Sequence, residues 1–325
     1  MDRGYNFSLG AGDNGNVLSL TNYRDQSRNQ NFTYDALNRI TAGSTNGNTG
    51  AYSWGENYTI DAWGNLMMSP MAGKAHGGTW QCAGDANNRA NCLSYDAAGN
   101  VTANGGAGYT YNAENRLLSA GGMSYAYDAD GNRVKKASGS TGTLYWYGSP
   151  GIIAESDLAG NMQHEYVFFG GKRVARIDQP GSSVHYYLSD HLGSTSMVVS
   201  SAGVPEEESD YSPFGTEYVV TGGGANRYKF TGKERDSETG LDYFGARYYG
   251  SNTGRWMSPD WSAKQEPVPY AKLGNPQSIN LYAYVFNSPL VHRDADGHII
   301  DDSSLEKNKA YQKWKKEYLS HDGAK

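Results

Sequence analysis

The chain has 325 residues, enough for a large buried core, and its 28 basic and 34 acidic side chains give a net charge of −6, without the basic footprint that nucleic acid or an anionic membrane would select. No run approaches the roughly 18 apolar residues of a membrane span, and mean hydropathy is −0.70. The 42 glycines and 26 tyrosines are far above ordinary usage and favour short strands joined by tight turns.

The N-terminus, MDRGYNFSLGAG, has no apolar signal-peptide core, which leaves a cytosolic protein, a dedicated export machine or a piece of a longer precursor. The last of these is the expectation adopted. From there a hexad recurs: DALNRI from Asp35, DAWGNL from Asp61, DANNRA from Asp85, DAAGNV from Asp96, NAENRL from Asn112, DADGNR from Asp128 and DLAGNM from Asp157. DHLGST from Asp190 is a looser copy, and DNGNV from Asp13 is one residue short.

The hexad stretch DADGN at 128–132, and a further stretch DADGH at 294–298, look like the start of a calcium loop. An EF-hand needs Gly at its sixth place and a bidentate Glu at its twelfth. Counted from Asp128, Gly131 is fourth and the twelfth residue is Gly139; counted from Asp294, Gly297 is fourth and the twelfth is Leu305. The fourth place of the hexads is instead always Gly or Asn: Asn38, Gly64, Asn88, Gly99, Asn115, Gly131, Gly160 and Gly193. Those are the two residues that best tolerate positive φ. A leading Asx, two right-handed residues and a left-handed Gly or Asn make a type I turn with a G1 bulge. Flanks such as NFTYDALNRITA and YAYDADGNRVKKA alternate apolar and polar residues, as hairpin arms with one buried face do.

The cysteines fit the same register. With Asp85 opposite Arg89, Cys82 falls directly across from Cys92, at a separation a disulfide spans, and a formed bridge would point to an oxidising location. Asp190, His191 and Ser194 carry triad residue types but lie within one hexad, whereas a working triad converges from separate places. His185 and His191 lack an evident third metal ligand, and TGGGAN at 221–226 reads as a loop rather than a phosphate cradle. No cofactor motif stands elsewhere.

The YDxxGNxx hexads, together with YYLSDHLGSTSMVV, DYSPFG and KFTGKERDSETGLDYFGARYYGSNTGRWMSPD across 186–260, resemble the RHS or YD-repeat family and its repeat-associated core, over roughly residues 5 to 298. The resemblance implies an all-β fold in which antiparallel hairpins form a curled or spiralling strip, a partial shell. It divides the chain into a YD-repeat region (1–180), a core (181–298) and a variable C-terminal tail (299–325). In related bacterial toxins such a shell encloses a C-terminal effector, and in teneurins the repeats serve adhesion at the cell surface.

The family also carries a Pro, a short spacer and Asp-Pro-x-Gly where self-cleavage frees the effector. Here Pro289, Asp294 and Gly297 match, Ala295 replaces the second Pro, and His298 stands where an apolar residue is usual. An aspartyl mechanism needs two carboxylates; Asp294 with Asp260 is the candidate pair and Asp296 the substitute, but because the motif is degraded a retained turn without proteolysis is the expectation. In the tail, Ser303 and Glu306 form a capping box ahead of a stripe of Tyr311, Trp314 and Tyr318, which predicts a short amphipathic helix.

The function expected is therefore a structural shell segment that encloses or presents its own C-terminal segment or effector, outside the cell or at its surface. The rivals are an autoprotease releasing the tail, and a module for self-assembly into homo-oligomers or for binding a cell-surface glycan through its many aromatic rings.

Overall fold

The computed structural model describes residues 3–7, 14–50, 52–149, 151–260, 276–298 and 300–301. The expected turn at Asp13 and the expected helix of the tail lie outside the described residues.

The chain is an antiparallel meander. Six strands, Arg3–Phe7, Val17–Asn22, Gln30–Tyr34, Ile40–Thr45, Gly55–Ile60 and Leu66–Pro70, form the first sheet in chain order. Fourteen more, from Leu93–Tyr95 to Glu217–Thr221, form the second, each paired with the next. Glu234–Arg235, Leu241–Tyr243, Tyr248–Gly250 and Arg255–Trp256 make a third, and Arg293–Asp294 pairs with Ile300–Asp301. No crossover interrupts the order, because each tight turn returns the chain beside the strand it has just left.

The hexads build these turns. Asp35 accepts the Leu37 and Arg39 amides on Oδ1 at 2.9 and 3.0 Å, while its backbone closes the loop with Arg39 and Asn38. The same bonds recur from Asp61, Asp85, Asn112, Asp157 and Asp190. Gly64, Gly99, Gly131, Gly160 and Gly193 all hold φ between 82° and 94°, and Asn38, Asn88 and Asn115 lie near 60°. Tyrosines just before a hexad reach back to earlier strands: Tyr34 Oη donates to the Val17 carbonyl and Tyr127 Oη to that of Leu117, both at 2.8 Å. The hydroxyl thus satisfies a carbonyl while its ring covers the core.

Residues 71–92 contain no named strand, only bridges such as Gly84 to Ala90. Cys82 and Cys92 are joined across that bridge with a Cα–Cα distance of 5.6 Å.

One face of each large sheet is covered by later parts of the chain. Trp54, just ahead of the strand Gly55–Ile60, stacks on Tyr218 at 5.6 Å, and Phe214 is wholly buried against Tyr58. Leu117, Tyr125, Tyr243 and Tyr248 form a second cluster between the second and third sheets. Each buried side chain of this size contributes roughly 1.5–3 kcal/mol. The first sheet is also tied to the strand Pro205–Tyr211: Arg28 meets Asp210 at 2.6 Å and Glu208 at 2.6 Å, and Arg3 meets Asp210 at 2.5 Å.

Candidate functional site

A cavity of about 440 Å³ lies between the second sheet and the residues that cover it, walled by Phe168, Arg173 and Tyr187 on one side and by Lys233, Phe244 and Asp294 on the other. Asp294 reaches it from the short strand Arg293–Asp294, at the head of a turn that, like the hexads, has a left-handed glycine in fourth place. Its Oδ1 accepts the Gly297 and Asp296 amides at 2.7 and 3.2 Å, and Gly297 holds φ at 86°. A Cβ on Gly297 would stand 3.0 Å from the Arg247 amide, so both backbone shape and closeness require glycine there.

Arg247 brings the two expected carboxylates together. Its Nη2 lies 3.3 Å from Asp260 and 3.4 Å from Asp294. Its Nε donates to the Gly297 carbonyl, and its guanidinium stacks on Trp256 at 4.0 Å. Asp296 is turned elsewhere, accepting the His298 amide at 3.0 Å. Burial pushes the Asp294 carboxyl up to about 6, against the opposing pull of Arg247 and the two amides, so this acid keeps its proton up to mildly acidic pH. Across the cavity wall, burial lowers the Lys233 ammonium to about 8 although Asp294 and Asp296 favour its charge. Lys233 Nζ donates to the Ala295 carbonyl at 2.5 Å.

The other candidates are occupied by structural bonds. Asp128 Oδ1 and Oδ2 receive the backbone and side-chain amides of Asn132 at 2.8 and 3.0 Å, which leaves the carboxylate engaged with its own turn. Among the described residues no three His, Cys, Asp or Glu side chains converge as a metal would require. Asp190 holds the amides of Leu192 and Ser194, His191 Nε2 meets the Leu290 carbonyl at 2.9 Å, and Ser194 Oγ accepts the Thr231 amide at 3.1 Å, so the three side chains do not form a relay. His185 bridges Glu206 at 2.6 Å and Asp178 at 3.1 Å, away from His191. In TGGGAN the Ala225 and Asn226 amides bind Glu207 at 3.0 and 2.8 Å, as a phosphate cradle would bind its anion. Among the described residues no helix is long and apolar enough to cross a membrane, which says nothing of β-barrels.

Sequence reasoning missed Lys233 and Arg247. Both stand in the core stretch KFTGKERDSETGLDYFGARYYG, and nothing local marks them, because their partners lie 13 to 62 residues away along the chain.

The teneurin YD-shell family profile matches residues 13–181 and 170–290. The chain is similar to the tRNA nuclease WapA of Bacillus subtilis (strain 168), 26% identical over 220 residues that make up 64% of this chain and 9% of that protein. It is 29% identical over 170 residues to the toxin subunit YenC2 of Yersinia entomophaga, across 47% of this chain and 16% of that one. Among solved structures, the TcdB2-TccC3-Cdc42 complex superposes with a TM-score of 0.69 at 20% identity, covering 91% of this chain and 17% of the other. The Photorhabdus luminescens Tc holotoxin pore gives 0.67 at 19%, over 91% of this chain and 17% of that one. At these identities the structures speak for the fold, and the chain spans less than a fifth of each of these proteins.

Proposed function

The chain belongs to the teneurin YD-shell family, and from that membership we propose that this scaffold segment encloses the beginning of its own C-terminal segment. The observation that carries the reading is where the last described residues lie: Asp294, Ala295 and Asp296 line the cavity, and Ile300–Asp301 pair back onto Arg293–Asp294. The C-terminal segment therefore sets out from beside an interior space. Acetylation of lysines in native and urea-unfolded protein, read by mass spectrometry, tests this. Enclosure predicts that Lys307, Lys309, Lys313 and Lys316 react much more slowly in the native chain; equal rates contradict it. The Cys82–Cys92 bridge supports an extracellular or cell-surface location.

A second reading, self-cleavage near His298, is favoured by the meeting of Asp260 and Asp294 on Arg247. Asp260 takes a proton from water as the water oxygen bonds to the peptide carbonyl carbon. The C–N bond then breaks while the protonated Asp294 carboxyl gives its proton to the leaving nitrogen, and Arg247 steadies the negative charge on the carbonyl oxygen. The intact mass of the purified chain decides: a cut near His298, abolished by Asp294→Asn, supports this reading, and an uncut chain ends it.

A further inference from the structure

The cavity wall has a feature that neither the turn nor the carboxylate pair uses. Three consecutive carbonyls each receive a donor: Ala295 from Lys233 Nζ at 2.5 Å, Asp296 from the Ala246 amide at 2.9 Å, and Gly297 from Arg247 Nε. The Ala246 and Arg247 donors come from one loop, which the segment hugs so closely that a Cβ on Gly245 would stand 3.0 Å from the Asp296 oxygen. The lysine alone reaches in from another element. Its backbone is fixed by the turn Lys229–Lys233, where the Lys229 amide meets the Lys233 carbonyl at 2.8 Å, and its ammonium passes 5.3 Å from the centre of the Phe244 ring.

The ammonium is held by a carbonyl oxygen and not by a carboxylate. The neighbouring carboxylate, Glu234, is taken by Arg133 at 2.7 Å and by Lys136 at 3.4 Å. Lys233 instead directs its charge at a neutral carbonyl, in a cavity whose lining holds Asp294 and Asp296 as well as Arg173 and Arg293; burial disfavours that charge and the two aspartates favour it. The ammonium is best understood by what it holds.

We infer that Lys233 is a positioning residue for chain scission: by fixing the Ala295 carbonyl it sets the register of Ala295–Gly297, and so presents the peptide beyond Gly297 to Asp260 and Asp294. The inference rests on the self-cleavage reading. Lys233 forms no covalent bond and transfers no proton in it.

The test uses the full chain and two measurements. The rate of self-cleavage, followed by intact mass, is compared for the unaltered protein, Lys233→Met and Lys233→Arg. Misplacing a reacting group by an ångström costs about 100-fold, so Lys233→Met should slow cutting about that much, and Lys233→Arg, which keeps a charged donor, should restore most of it. Amide hydrogen exchange is then measured with Asp294→Asn present throughout, which keeps the chain whole. Adding Lys233→Met should speed exchange at Asp296, Gly297 and His298, and leave the Arg133–Ser138 strand unchanged. Cutting that proceeds with Lys233→Met at the unaltered rate, or unchanged exchange at 296–298, overturns the role of Lys233 and leaves the cleavage reading standing. A chain that never cuts overturns both.

Discussion

Arg133 Nη2 lies 2.7 Å from Glu234 Oε2, and neither side chain is more than 1% exposed. Arg133 also meets Asp236 at 2.6 Å and lies against the Tyr125, Tyr145, Tyr243 and Tyr248 rings at 4.4 to 5.8 Å. The second and third sheets are thus joined through a buried ion cluster whose charges have no water to turn to. Breaking such a pair by removing one partner costs about 3–5 kcal/mol. Arg133→Met should lower stability by that amount in urea titration, and Lys136→Met by less, because Lys136 meets the same acids at longer range. A loss under about 1 kcal/mol for Arg133→Met would contradict this account of the joint.

The disulfide should stabilise measurably. It closes a loop between residues ten apart, and removing the entropy of a loop that size from the unfolded chain is worth about 2–3 kcal/mol. Adding reductant should shift the urea midpoint down correspondingly. The double variant Cys82→Ala/Cys92→Ala should start at the lower midpoint and ignore reductant.

The turn glycines separate backbone strain from crowding. Gly160 holds φ at 88° with nothing within 4 Å of a would-be Cβ, whereas at Gly215, φ 94°, that Cβ would lie 2.5 Å from Phe230. Gly160→Ala should cost about 1–2 kcal/mol from the left-handed backbone alone, and Gly160→Asn less. Gly215→Ala should cost a further 1–3 kcal/mol or so for overpacking. Equal effects at the two sites would mean that the turns relax more than their geometry implies.

Self-cleavage, with Asp294 as the acid, carries a pH signature. The carboxyl titrates near 6, so its protonated form dominates below that value and shrinks about tenfold for each unit above it. The cutting rate should therefore fall as pH rises from 6 to 8. A rate that climbs over that range would assign Asp294 the opposite role, that of base.

The turns could be read from the sequence because they are local. A left-handed site accepts few residue types, so Gly99 or Asn115 at a fixed offset from an Asx residue signals the reversal, and one hairpin register suffices to align Cys82 with Cys92. Turns with the same backbone bonds at Ser200–Val204, Ser212–Thr216 and Lys229–Lys233 carry no such signal, because Ser or Lys replaces the leading Asx. The site was legible only in part. Asp294 and Asp260 stand in marked motifs, but the residue that unites them, Arg247, and the lysine across the wall depend on contacts between distant segments. Arg133 looked like an ordinary residue just after a turn, and only the return of residues 234–236 onto the sheet makes it a buried joint.

Brief trypsin digestion of the native full chain, read by mass spectrometry, tests the proposed enclosure most directly. The segment from Lys307 to Lys325 is rich in lysine and is cut at once if it stands in solvent. Enclosure predicts that these sites survive while exposed surface sites such as Lys172 are cut, and that they become labile when Arg28→Ala loosens the contact between the first sheet and Asp210. Immediate removal of the tail from the unaltered native chain would contradict it.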